Sequence, residues 1–121
     1  MKTKKIAKSL VKWCNKGEFD RCYKELYSPD IVSMEPGGEN RVAKGMEEIM
    51  KKGEWWEETF EVHSSKASKP TVADNWFSVR FNMDTTHKPS GQRTQSSEIA
   101  VYEVQDGKIV KEQFFYDMPP E

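Results

Sequence analysis

The sequence predicts an α+β fold in which three N-terminal helices cover one face of a curved, mostly antiparallel sheet. Two observations carry that expectation. Apolar residues recur at helical spacing through the first half of the chain, and from Thr59 onward the period changes to two. Helices and antiparallel strands that segregate along a chain pack as separate layers, which defines α+β. Three helices cover only one face of four long, twisted strands, so the expected product is a half-open cone with a cavity between sheet and helices.

Ile6, Leu10, Trp13 and Cys14 form the first apolar stripe, with lysines on the opposite side. Gly17 ends it, where a helix C-terminus favours glycine. Phe19, Cys22, Tyr23 and Leu26 form a second stripe that Pro29 closes, and the short connector makes the two helices a hairpin-like pair. Asp30 to Glu35 reads as a short strand, and Pro36 to Asn40 as a loop of turn residues. Val42, Met46, Ile49, Met50 and Gly53 mark a third helix with Trp55 and Trp56 at its end. Phe60 and Val62 then alternate with Glu61 and His63. A turn at 69–75 leads into Phe77, Val79, Phe81 and Met83, which alternate with polar residues as in a strand with one buried face. A turn at 88–92, a strand over Thr94–Val104, the Asp106-Gly107 hairpin turn and a last strand over Lys108–Met118 complete the chain.

The 121 residues fit one domain, 1–121, without repeat or linker. A net charge of −1 gives no electrostatic reason to grip nucleic acid. No apolar run approaches the length of a bilayer span, and the charged start lacks the apolar core of a signal peptide. With only two cysteines, both on apolar helical faces, the expectation is a soluble cytoplasmic protein whose thiols are small core side chains. His63 and His87 lie on different strands, so no metal site is expected, and no nucleotide-binding loop or serine–histidine–acid order occurs.

"NKGEFDRCYKELYSPDIVSMEP", the glycine-rich loop and helix ending in "KKGEWW", and "THKPSGQRTQSSEIAVYEVQDGKIVKEQFFYD" occur in this order over Ile6 to Met118. Together they resemble the SnoaL-like branch of the nuclear transport factor 2-like superfamily. That resemblance implies a cystatin-like cone, no cofactor, dimerisation through the outer sheet face, and acid–base chemistry by pocket side chains. In relatives such as limonene epoxide hydrolase, the last strand ends in a catalytic Asp facing the cavity, and that Asp falls on Asp117. Period two from Asp117 then turns Gln113 and Phe115 inward, and Glu112, Phe114 and Tyr116 outward. Phe81 and Met83 stand where that hydrolase keeps Arg and Asp. In ketosteroid isomerase the general base precedes a proline at the end of the first strand, the place of Glu35; Leu10 and Ala100 stand at its two oxyanion donors. Glu98 falls on a pocket-facing position of the fourth strand.

Asp117, Glu98 and Glu35 are thus the candidate catalytic carboxylates. Trp13, Tyr23, Tyr27, Ser33, Trp56, Phe77, Phe81, Met83, Gln113 and Phe115 are the candidate ligand-binding residues. Burial beside aromatic rings disfavours the charged form of a carboxylate, and like charges disfavour it further, so one member of such a set is protonated while another is ionised. An acid–base pair of this kind suits isomerisation or cyclisation of a small apolar carbonyl compound. A non-catalytic ligand binder and a dimeric interaction module stay open as alternatives. So do plainer roles for the acids, Glu35 as a solvated loop residue and Asp117 as a wet chain end.

Overall fold

A computed structural model describes residues 2–38 and 41–117. Glu39 and Asn40 of the expected loop, and Met118 to Glu121 with the two prolines after the last strand, lie outside the described residues. The elements run α1 (Thr3–Asn15), α2 (Phe19–Glu25), β1 (Tyr27–Met34), β2 (Val42–Lys44), α3 (Gly45–Thr59), β3 (Phe60–Ala67), β4 (Thr71–Ala73), β5 (Trp76–His87), β6 (Gln92–Gln105) and β7 (Lys108–Phe115). Six strands form one sheet in the order β2-β1-β7-β6-β5-β3, and β4 pairs with β5. All ladders are antiparallel except β1 on β7, so the expected α+β architecture holds.

The helices cover one face. Ile6, Ala7 and Leu10 of α1 are sealed from solvent and join Phe77, Val79 and Phe81 of β5, Ala100, Tyr102 and Val104 of β6, and Ile31 and Ile109 in a single core. Phe77 stacks on Tyr102 with ring centroids 4.7 Å apart. Truncating a ring buried this way costs about 3–5 kcal/mol, from lost burial and the cavity left behind.

Several boundaries differ from the expectation. Val42 belongs to β2, not to the third helix: it pairs with Met34, and the helix begins at Gly45, whose φ of +85° makes the sharp exit from the strand. The first strand starts at Tyr27 and contains Pro29. That proline sits where the β1–β7 register jumps between Tyr27 and Val32, a gap in which its missing N–H breaks no ladder bond. The turn over 69–75 holds β4. Asp106 and Gly107 both take positive φ, as a two-residue hairpin turn requires.

The largest difference lies in β7. Tyr102 pairs with Glu112 and Glu103 with Lys111, but Val104 pairs with Ile109. One step along β6 thus spans two along β7, and Val110 is the extra residue of a β-bulge. An extra residue flips every side chain beyond it to the other face. Ile109 points into the core as the alternation predicts. Past the bulge, Glu112 is inward and only 4% exposed, and Phe114 packs against the core. The expected orientation of the last strand is therefore reversed: Gln113 and Phe115 lie on the outer face, and Phe115 is 48% exposed. Asp117, beyond the strand end, is exposed.

Candidate functional site

On the helix-covered face, β6 contributes Glu98, β7 contributes Glu112, and β1 contributes Ser33 and, just past its end, Glu35. The registers bring them together. Ser33 is the neighbour of Glu112 in the parallel β1–β7 ladder, Tyr102 pairs with Glu112, and Glu98 pairs with Phe81 on β5. Helix α3 lays Lys52 over this end of the sheet. Its ammonium donates to Ser33 Oγ at 3.0 Å, lies 3.6 Å from Glu35 Oε1, and sits 5.0 Å above the Phe114 ring.

Glu112 is the deepest of the acids. Tyr27 donates its hydroxyl to Glu112 Oε2 at 2.5 Å, and Ser33 stands beside Glu112 in the β1–β7 ladder. Burial pushes the carboxyl up, while Tyr27, Lys52 and Ser33 oppose that shift. Ser33 thus stands between the buried acid and the lysine, a ladder neighbour of Glu112 and an acceptor for Lys52. Tyr23 meets Tyr27 edge-on with centroids 5.0 Å apart and closes the floor behind this pair.

Glu35 and Glu98 lie nearer the surface. Burial pushes Glu35 up and the Lys52 ammonium holds it down. Tyr116 reaches Glu35 Oε1 at 3.5 Å, and burial together with the Glu35 charge pushes the tyrosine hydroxyl up to about 12. Glu35 Oε2 is buried without a hydrogen-bond partner among the described residues. Glu98 is pushed up to about 7, first by burial, then by the charges of Glu35 and Glu112, against the pull of Lys52. One face thus holds a carboxyl pushed up to about 7 and a second acid in contact with the Lys52 ammonium.

Of the candidate residues, Glu98, Glu35, Ser33, Tyr27 and Tyr23 fall in or directly behind this cluster. Phe81 pairs with Glu98 across the β5–β6 ladder, and Phe77 stacks on Tyr102, the ladder partner of Glu112. Trp13 is core, capped by the Arg21 guanidinium 4.1 Å from its ring. Trp56 stacks on Phe60 at 4.3 Å, at the corner of α3 and β3. Met83 is half-buried one inward position beyond Phe81 on β5. Gln113, Phe115 and Asp117 are not brought into the cluster, because the bulge turns the strand before them. Sequence reasoning missed Glu112, Lys52 and the inward role of Tyr116. Lys52 carried a usable signal, since it stands three residues after the apolar Ile49 on the helix. Glu112 carried none, because alternation placed it outside.

Two open clefts, of about 560 and 460 Å³, lie elsewhere. One is bordered by Lys2, Lys4, Asp74 and Asp106, the other by Ser64, Lys66, Asn82 and Ser97, and neither is lined by Glu35, Glu98 or Glu112. No group of three or more metal-ligating side chains occurs among the described residues. No helix among them is long and apolar enough to cross a membrane.

Comparison with known proteins gives a consistent picture. The SnoaL-like domain family model matches residues 1–116. A solved structure from Mesorhizobium loti, labelled a proposed SnoaL-like polyketide cyclase and also a carbohydrate phosphatase, is 33% identical; the match covers 96% of this chain and 100% of that one, with a TM-score of 0.92. A nuclear transport factor 2-like protein of Burkholderia thailandensis shares the fold at 17% identity, 97% and 92% coverage and a TM-score of 0.84. A Xanthomonas campestris protein of unknown function with a cystatin-like fold does so at 21% identity, 96% and 91% coverage and a TM-score of 0.77. No curated protein matches the chain.

Proposed function

Since the chain belongs to the SnoaL-like domain family, we propose that it is an acid–base isomerase or cyclase. Its substrate is a small, mostly apolar carbonyl compound, and its own carboxylates do the proton transfers. One observation carries this reading: Glu98 sits at about 7 beside Glu35, whose Oε2 is buried and unpartnered. A general acid and a general base work best with affinities near the working pH, and here burial raises both neighbouring acids, Glu98 to about 7.

The division of labour follows from the charges. Glu35, ion-paired to Lys52, acts as the base and takes a proton from the carbon next to the substrate carbonyl. Glu98 in its protonated form gives its proton to the carbonyl oxygen as negative charge develops there. Lys52 adds a fixed positive charge close by, in a site where partial burial strengthens such interactions. Return of the Glu35 proton to a different carbon completes an isomerisation; attack of the enol carbon on a second carbonyl completes a cyclisation.

A panel of small cyclic ketones in deuterated water tests this directly. The protein should accelerate deuterium incorporation at the α-carbon, seen by proton NMR, and Glu35→Gln should abolish the acceleration. The rate should also fall as pH rises through about 7, as Glu98 loses its proton. Background exchange across the whole panel, with no thermal shift from any ketone, would rule the reading out.

The outer face of the sheet supports a companion proposal, that two copies pair through it. Ile99 and Phe115 are cross-strand neighbours, both about half exposed, with Val101 alongside. Exposed apolar side chains in one patch favour an interface. Sedimentation should give a dimer that Ile99→Ser with Phe115→Ser converts to a monomer; a wild-type monomer at high concentration would exclude it.

A further inference from the structure

The two cysteines lie outside the acid cluster and take no part in the chemistry above. Their sulfurs are nevertheless in contact. Cys14 Sγ and Cys22 Sγ are 4.0 Å apart, both are free, and both are buried. Cys14 occupies the last turn of α1. Cys22 is in α2, across a three-residue connector at which Gly17 takes φ +75°. We propose that Cys14 and Cys22 are a redox couple, which a small hydroperoxide converts to a disulfide tying α1 to α2 directly behind the acid cluster.

The geometry permits closure without rebuilding the core. A disulfide needs the sulfurs roughly 2 Å apart, so the gap must shrink by about half. Helix α2 is the element free to give. It has seven residues, of which only Cys22 is fully buried; Tyr23 packs partly on the core, and the rest are exposed, with Arg21 in surface ion pairs to Glu18 and Glu25. An element held by few buried contacts shifts at low cost.

The chemistry balances. We take Cys22 as the attacking sulfur: contact with the Cys14 sulfur favours its thiolate, burial and the Glu18 charge oppose it, and the Arg21 guanidinium helps. The Cys22 thiolate attacks one peroxide oxygen, the O–O bond breaks, and a sulfenic acid and water form. Cys14 then loses its proton and attacks Cys22 Sγ. The S–O bond breaks, and a second water leaves. Two thiols are oxidised, one peroxide is reduced, and two waters are produced.

The pair is placed to report on the site. Tyr23 follows Cys22 directly and packs edge-on against Tyr27, which donates to Glu112. Drawing Cys22 toward α1 displaces Tyr23 and with it the ring whose hydroxyl holds the buried acid. This inference does not depend on the proposed catalytic activity.

The test uses the whole chain. Reduced protein is treated with hydrogen peroxide under native conditions and followed by intact mass and by thiol alkylation after unfolding. The expected result is loss of two hydrogens, no alkylatable thiol, and full reversal by dithiothreitol. Cys14→Ala and Cys22→Ala should each abolish the reversible mass loss, with circular dichroism showing that they fold. Two alkylatable thiols after excess peroxide, stable addition of oxygen to one sulfur, or disulfides only between chains would each overturn the proposal. Carboxyl carbon NMR reads the coupling: the Glu112 resonance should move on oxidation and return on reduction. An unmoved Glu112 resonance in fully oxidised protein would overturn the link to the site.

Discussion

Strands β6 and β7 lie side by side for most of their length, yet they treat their acids differently. On β6, strict alternation carries Glu98, Ala100, Tyr102 and Val104 inward and leaves Ile99 exposed. On β7, alternation holds only as far as Ile109. The bulge at Val110 then inverts it, burying Glu112 and exposing Phe115. One strand keeps its period and half-buries an acid at the rim. The other breaks its period and seals an acid in the core. A carboxylate's behaviour is thus set by the pairing of its strand as much as by the residues around it in sequence.

Inserting an alanine between Lys111 and Glu112 attacks this contrast most directly. The added residue would take the inward place opposite Tyr102, turn Gln113 and Phe115 inward and expel Glu112 and Phe114. A one-residue slip of a half-buried strand moves its whole apolar set, so the loss should exceed about 4 kcal/mol, or the chain should fail to fold. An unchanged urea midpoint would mean that the ladder absorbs the extra residue and keeps its orientation.

Glu112→Ala is the next most severe change. It leaves the Tyr27 hydroxyl without its acceptor and opens a cavity, at a cost of about 2–4 kcal/mol. Glu112→Gln, which keeps an acceptor oxygen, should cost clearly less. Equal losses for the two variants would show that the hydrogen bond from Tyr27 contributes little.

Glu98 gives an effect whose sign depends on pH. Its carboxyl moves from an ordinary 4.5 to about 7 in the fold, so the folded state holds its proton over a range in which the unfolded chain has released it. Stability therefore falls as pH rises from about 4.5 through 7. Glu98→Gln should remove that slope: it should be the more stable protein at pH 8, by about 2 kcal/mol after allowance for partial exposure, and match the wild type at pH 4. Paired denaturation curves at the two values decide it. Asp117→Asn, outside the cluster, should change stability by less than about 0.5 kcal/mol at any pH. A larger change would mean that Asp117 holds a contact with the fold.

How much could be read in advance follows the same division. The helical stripes, the Asp106-Gly107 turn and the inward face of β5 are local patterns, and all are legible. Glu98 and Glu35 are found through the family resemblance, which implies a pocket-facing position on the fourth strand for one and the place before Pro36 at the end of the first strand for the other. Glu112 is hidden because its visible pattern points the wrong way; Lys52 is marked only by its spacing from Ile49, which places it on the inner side of α3 and says nothing of the serine and acid it meets.

The sequence by itself determined the fold class, the turns and the buried faces of the regular strands. Each follows from backbone preference and hydrophobic period within a short window. Only the tertiary structure decided the bulge at Val110, and with it the burial of Glu112, the hydrogen bond from Lys52 to Ser33, the affinity of Glu98 for its proton, and the contact between Cys14 and Cys22. A bulge is a mismatch of register between two strands, and a shifted proton affinity sums charges brought together from distant parts of the chain. Neither quantity exists until the chain has folded.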